Sequence, residues 1–166
     1  MSQNDESSFL NRMQSAVERG RQRGNQKAQQ QRQKEVSEEE MRRLHTQYRL
    51  SLSGKIEAAI QQVANHFPGF RTEILFGETG WGAACYREDL QLQSGRRTTR
   101  YSRLEMTIRP MNEYFVLDLK GKGTVGNKEL FNRSFFNPLQ EVDEPEFLRL
   151  IETWAIQYAE QYAAKN

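Results

Sequence analysis

Tyr101-Ser102-Arg103-Leu104-Glu105-Met106-Thr107-Ile108-Arg109 alternates without a slip and runs into Pro110-Met111-Asn112. Leu104, Met106 and Ile108 fall on one side, and Tyr101, Arg103, Glu105, Thr107 and Arg109 on the other. A period of two sends successive side chains to opposite faces, so the stretch around 98–109 reads as a strand with one buried and one wet face. Proline fixes φ and asparagine tolerates a left-handed backbone, which makes Pro110-Met111-Asn112 a turn. Alternation resumes over 113–120, with Phe115, Leu117 and Leu119 inward. Half-wet strands joined by tight turns pair antiparallel.

Further strands lie on both sides. Ile74 and Phe76 alternate from Arg71, and Gly77-Glu78-Thr79-Gly80 is a turn. Trp81 to Leu92 continues as strand, with Gly82 as a possible bulge. Ser94-Gly95 turns the chain again. Gly121-Lys122-Gly123 reads as a loop before a last strand near 128–136.

Helices flank these strands. Ser37-Glu38-Glu39-Glu40 has the form of a capping box, serine at the N-cap and glutamate three residues on. Met41, Leu44, Tyr48, Leu52, Ile56, Ile60, Val63 and Phe67 then step by three or four, predicting one long helix over 37–66 that Pro68-Gly69 ends. Asp143-Glu144-Pro145-Glu146 opens a final helix. Its expected buried stripe is Phe147, Leu148, Ile151, Trp154, Ala155, Tyr158, Ala159 and Tyr162. The predicted fold is α+β: a long N-terminal helix, an antiparallel meander of four or five strands and a C-terminal helix. The helices cover one sheet face in a two-layer domain spanning 37–166.

Residues 1–36 read as a flexible arm. Phe9, Leu10, Met13, Ala16 and Val17 recur at helical spacing, predicting a short amphipathic helix over about 8–19, with Gly20 at its end. Arg19, Arg21, Arg23, Lys27, Arg32 and Lys34 follow among six glutamines, with no acid over 19–34. Such a segment buries too little to offset its ordering entropy, so it is expected to be a disordered or frayed-helical basic tether.

The chain is 36% apolar, below the usual range, and the shortfall is concentrated: Ala28 and Val36 are the only apolar side chains over 20–40. No run reaches the ~18 apolar residues that would cross a bilayer. The polar, acidic start is unlike a secretory signal. Cys85 is the sole cysteine, which with these features points to a reducing, cytoplasmic setting. The net charge of +2 conceals an asymmetry. Residues 1–36 carry seven Lys/Arg against four Asp/Glu, whereas 138–166 carry two against six. That division permits an anionic partner, or docking of the acidic end on a second copy.

No catalytic or metal-binding constellation and no cofactor motif emerges. Gly121-x-Gly123-x-x-Gly126 has the letters of a dinucleotide loop, but a strand rather than a helix is expected to follow. Cys85, His45 and His66 form no ligand spacing, and a lone buried thiol is usually inert. Asp118 is expected to pair across the sheet with Arg103 or Arg109. The order helix, strands, helix is superficially similar to double-stranded-RNA-binding modules. Asp143, Glu144 and Glu146 stand where that module would place lysines, so the analogy fails.

Two functional readings follow. The first is a non-enzymatic binding or adaptor protein acting through protein–protein contacts or self-association, with Phe9, Leu10, Met13, Val17 and the loop residue Trp81 as candidate anchors. The second is single-stranded nucleic-acid or RNA binding by two surfaces. One is the basic arm with Arg19, Arg21, Arg23, Lys27 and Arg32. The other is the outer sheet face with Arg96, Arg97, Arg100, Tyr101, Arg103, Arg109, Tyr114 and Lys120. A ligand pocket or enzyme site between sheet and helices is a third.

Overall fold

A computed structural model describes residues 2–166. Helix α1 runs Ser2–His66 and helix α2 runs Glu144–Lys165. Between them lie β1 (Arg71–Leu75), β2 (Trp81–Gln93), β3 (Arg96–Ile108), β4 (Val116–Val125) and β5 (Lys128–Pro138). The five strands form one antiparallel sheet in sequence order. The expected α+β architecture is therefore observed. The chain divides into two units, Met1–Met41 and Arg42–Asn166.

In the first unit, every residue from 3 to 37 is exposed, and the backbone is helical throughout. The expected break at Gly20 is replaced by helix, and of the two expected states of the tether over 19–34, disordered or frayed-helical, the backbone takes the helical one. Arginine, glutamine, lysine and alanine are strong helix formers that need no burial to favour the state. Local contacts add to this: Gln31 Nε2 donates to Glu35 Oε1 at 3.3 Å and Arg32 Nε to the Ala28 carbonyl at 3.4 Å. Ser37–Glu40 is likewise not a helix start. It lies inside α1, where a capping box has no free N–H groups to satisfy.

In the second unit, the predicted stripe buries Leu52, Ile56, Ile60 and Val63, each 5% exposed or less. Spacings of three and four put them on one side of the helix. From α2, Phe147, Ile151, Trp154, Ala155, Tyr158 and Tyr162 are buried. The two helices run parallel over the sheet. The Ser51 hydroxyl donates to the Glu144 carboxylate near one end, and the Phe67 and Tyr162 rings meet edge-on at 4.7 Å near the other. Beneath them, Leu104, Met106, Ile108, Leu117 and Leu119 are fully buried.

Gly121 and Gly123 are not a loop. They lie within β4, opposite Met106 and Leu104, on the face that α2 covers. A Cβ on Gly121 would stand 2.5 Å from the Trp154 ring. One on Gly123 would stand 2.9 Å from the Phe131 ring and 3.0 Å from Tyr158. The glycines make a trough for the large rings of α2 and β5, and the Tyr158 hydroxyl reaches the Thr124 carbonyl at 2.9 Å. The β4–β5 turn falls instead at Gly126-Asn127, where both residues have positive φ, as they do at Ser94-Gly95. Positive φ at both central residues suits a two-residue hairpin because its twist matches that of the strands. The Asn127 side chain ties this turn to β3, accepting from the Tyr101 N–H and donating to the Thr99 carbonyl.

Three smaller expectations also change. The register irregularity lies at Gly123/Thr124 rather than Gly82. Gly82 pairs regularly with Thr107, so close to the Met106 carbonyl that no Cβ would fit. Phe115 precedes β4 at φ 52° and is half-buried. Phe76 lies beyond the end of β1, and both it and Ile74 are exposed because β1 is an edge strand.

Candidate interaction surfaces

Phe9, Leu10, Met13 and Val17 lie on α1 and are 45–58% exposed. For helical residues on one side of a helix this is a continuous uncovered apolar strip. Arg19, Arg21, Arg23, Lys27 and Arg32 continue the same helix, all exposed. Trp81 opens β2 and is half-buried, with the Arg49 guanidinium 4.2 Å from its ring centroid. One face of the indole is thus already occupied from within the unit.

The outer sheet face does not present a free row of cations. Arg103 donates through Nη1 to Glu73 at 2.7 Å and through Nε to Glu105 at 3.2 Å. This bridge passes from β3 over β2 to β1. Ala84 stands between Glu73 and Glu105 in the register and is fully buried. A small side chain at that position is what lets the guanidinium cross the middle strand. Tyr86 lies beside it, its ring centroid 5.9 Å from Arg103. The expected partners of Arg103 are thereby corrected: it pairs with Glu73 and Glu105, not with Asp118.

Asp118 Oδ1 is buried without a hydrogen bond. Burial raises the Asp118 carboxyl above its usual pKa, against the opposing fields of Arg109 and Lys120. Tyr101 and Lys120 share the outer face, but both are half-buried. Arg109 follows β3, and its carbonyl accepts from the buried His45 Nε2–H at 3.1 Å. Tyr114 is 73% exposed in the β3–β4 connection. Arg96 and Arg97 lie at the β2–β3 hairpin tip, and Arg100 packs against Gly126. The predicted nucleic-acid residues of the sheet are therefore scattered over hairpin tip, outer face and connection.

Burial opposes ionisation of the Cys85 and His45 side chains. Burial pushes the Cys85 thiol up to about 12, more than the Leu104 backbone and the Arg103 charge lower it. Burial lowers the His45 pKa, more than its bond to Arg109 raises it. Among the described residues no group of three His, Cys, Asp or Glu side chains is placed to hold a metal. No helix among them is long and apolar enough to cross a membrane.

One surface has no counterpart in the sequence reading. An open groove of about 610 Å³ lies between α1 and α2, on the side away from the sheet. Ala58, Ala59 and Val63 line one wall, and Leu148, Ile156 and Ala159 the other. Ile156 is 66% exposed. Leu148 and Ala159, expected beneath α2, point into this groove. The signal was the second, narrower set Leu148, Ala155, Ile156 and Ala159, at intervals of seven, one and three.

No family model matches the chain, and no curated protein or solved structure matches it either.

Proposed function

We propose that this is a non-enzymatic binding protein whose first unit recognises a protein partner by laying an amphipathic helix on it. The observation that carries this reading is the exposure of Phe9, Leu10, Met13 and Val17 along a formed helix. Recognition of a helix in a groove uses apolar anchors at such spacing. A preformed helix also loses less conformational entropy on docking than a disordered one. The sole thiol, Cys85, is buried, which suits a reducing, cytoplasmic setting.

The basic stretch Arg19–Lys34 supports a second reading, nucleic-acid binding by the first unit alone. Its cations are exposed and unmixed with acids, and phosphate contacts of that kind weaken steeply with salt. The pairing of Arg103 with Glu73 and Glu105 leaves the outer sheet face little part in it.

Parallel affinity capture with the full chain and a Phe9→Ser, Leu10→Ser, Met13→Ser, Val17→Ser variant tests both readings. The first expects a reproducible set of proteins held by the full chain and lost with the variant, insensitive to nuclease. Identical sets from both chains would overturn it. Salt-sensitive retention of RNA by both chains, abolished when Arg19, Arg21 and Arg23 become Ala, would favour the second.

A further inference from the structure

We propose that the protein self-associates through the free edge of β2, with residues 89–93 of two copies paired antiparallel about a two-fold axis at Gln91. β1 pairs with β2 only from Gly82 to Tyr86, so from Arg87 to Gln93 the strand is a sheet edge. Asn127 shows which backbone groups face outward there. Its N–H donates to the Tyr101 carbonyl, its Oδ1 accepts from the Tyr101 N–H, and its Nδ2 donates to the Thr99 carbonyl. Tyr101 and Thr99 thus turn their backbone groups away from β2. Their opposite residues, Glu88 and Leu90, turn theirs away from β3, and alternation extends this to Leu92. The amides and carbonyls of Leu90 and Leu92 point out of the edge, and their side chains are 77% and 78% exposed. Free edges are ordinarily blunted by charge, proline or brevity. β1 is five residues long and carries Arg71 and Glu73. β5 carries Lys128, Glu129 and Arg133 and ends in Pro138. Leu90-Gln91-Leu92-Gln93 has none of these devices.

The length of the free edge selects both the occupant and its register. Arg71 already stands opposite Tyr86, so a strand laid on this edge has to end opposite Glu88. β2 itself ends that way, in the tight turn at Ser94-Gly95 with both residues at positive φ. With Leu90 of one copy opposite Leu92 of the other, Ser94 falls opposite Glu88 and the turn clears Arg71. With Leu90 opposite Leu90, Ser94 would fall on the place Arg71 holds. With Leu92 opposite Leu92, only residues 91–93 would pair. In the register that fits, each Leu90–Leu92 pair exchanges both N–H···O=C bonds, and the leucines of both copies share one face. Asp89 then stands opposite Gln93, and Gln91 opposite itself. No like charges oppose one another in this ladder. Arg96 and Arg97 lie on β3, one strand away from the seam, and Arg87 is held by Asp89 and the Pro68 carbonyl. An unrelated extended segment would also find these amides, but it would have to end opposite Glu88 and bring apolar side chains at alternate positions. A second copy does both. A two-fold seam uses the free edge of each copy and closes at two.

This inference does not depend on the strip at Phe9–Val17, and its test keeps the two apart. Sedimentation velocity on the full chain over a concentration series is expected to show twice the monomer mass. Leu90→Lys, at an exposed position, should lose the dimer with unchanged circular dichroism and thermal midpoint. Introduced cysteines then read the register. Residues 91 of the two copies form a non-hydrogen-bonded pair with Cα atoms about 4.5 Å apart, a separation that a disulfide spans. Residues 93 stand about 14 Å apart, beyond its reach. Under mild oxidation Gln91→Cys should therefore cross-link about tenfold faster than Gln93→Cys. The unaltered chain, whose sole thiol Cys85 is buried, should not cross-link. A monomer at every concentration overturns the proposal, as does a dimer that Leu90→Lys leaves intact, or cross-linking at 93 as fast as at 91. Loss of the dimer in the Phe9, Leu10, Met13, Val17 serine variant, with none in Leu90→Lys, also overturns it and assigns self-association to the first unit.

Discussion

The two lengths of helix α1 have the same backbone and opposite surroundings. Residues 3 to 37 are exposed without exception, while Leu52, Ile56, Ile60 and Val63 bury almost all of their surface. The first length is ordered by propensity and i, i+4 contacts, each worth only tenths of a kcal/mol. The second is ordered by packing, at roughly 1.5–3 kcal/mol for each large side chain removed from water. Helicity alone therefore does not distinguish a core element from a docking element. The environment of its apolar residues does. Glycines repeat the contrast. Gly20 and Gly24 have nothing within 4 Å of a would-be Cβ, whereas Gly121 and Gly123 have aromatic rings within about 3 Å.

The comparison breaks most sharply at Ile56. Ile56→Ala should destabilise the second unit by about 2–5 kcal/mol, through lost transfer energy and the cavity left over the sheet. Chemical denaturation followed by tryptophan fluorescence reads this, since both tryptophans, Trp81 and Trp154, lie in that unit. A change below 1 kcal/mol would mean that α1 is not part of this core. Gly121→Ala comes next. The added methyl meets Trp154, which cannot move without lifting α2, and overpacking of this sort costs about 1–3 kcal/mol. The same measurement detects it, with the Trp154 emission expected to shift. A neutral result would mean that α2 rides higher over β4 than a 2.5 Å approach implies.

Much of the second unit was legible because alternation and helical spacing are local and strong there. Leu104, Met106 and Ile108 name the buried face unaided, and Phe147 to Tyr162 name the face of α2. What was not legible depends on residues far apart in the chain. Gly121-Lys122-Gly123 reads as a loop because glycine ordinarily punctuates. Only Trp154 and Tyr158, about thirty residues on, explain glycine inside a strand. Arg103 could be placed on the outer face, but its partner Glu73 depends on the register across two strand pairs and on a small residue at Ala84. Ser37–Glu40 has the chemistry of a helix start wherever it occurs, so it cannot report that helix already precedes it. The groove was missed because Leu148 and Ala159 fit the buried stripe of α2 by spacing, and which side they face depends on where α1 lies.

The smallest effect is the most informative about the first unit. Gly20 and Gly24 follow Met13 and Val17 at intervals of three and four, on the same side of the helix as the apolar strip. Gly20→Ala and Gly24→Ala should each stabilise the local helix by about 0.8–1.0 kcal/mol and leave the thermal midpoint of the second unit unchanged. Amide hydrogen exchange over residues 12–32 measures the first effect, and calorimetry the second. If exchange does not slow, local propensity is not what orders this length. Binding adds a further readout. An unobstructed strip predicts that both substitutions are neutral or favourable for partner capture, because the helix is better formed before it docks. Weaker capture despite slower exchange would show that a partner backbone comes close enough to Gly20 and Gly24 to exclude a methyl group. The contact would then extend at least two turns beyond Val17, and these glycines would resemble Gly121 and Gly123 rather than differ from them.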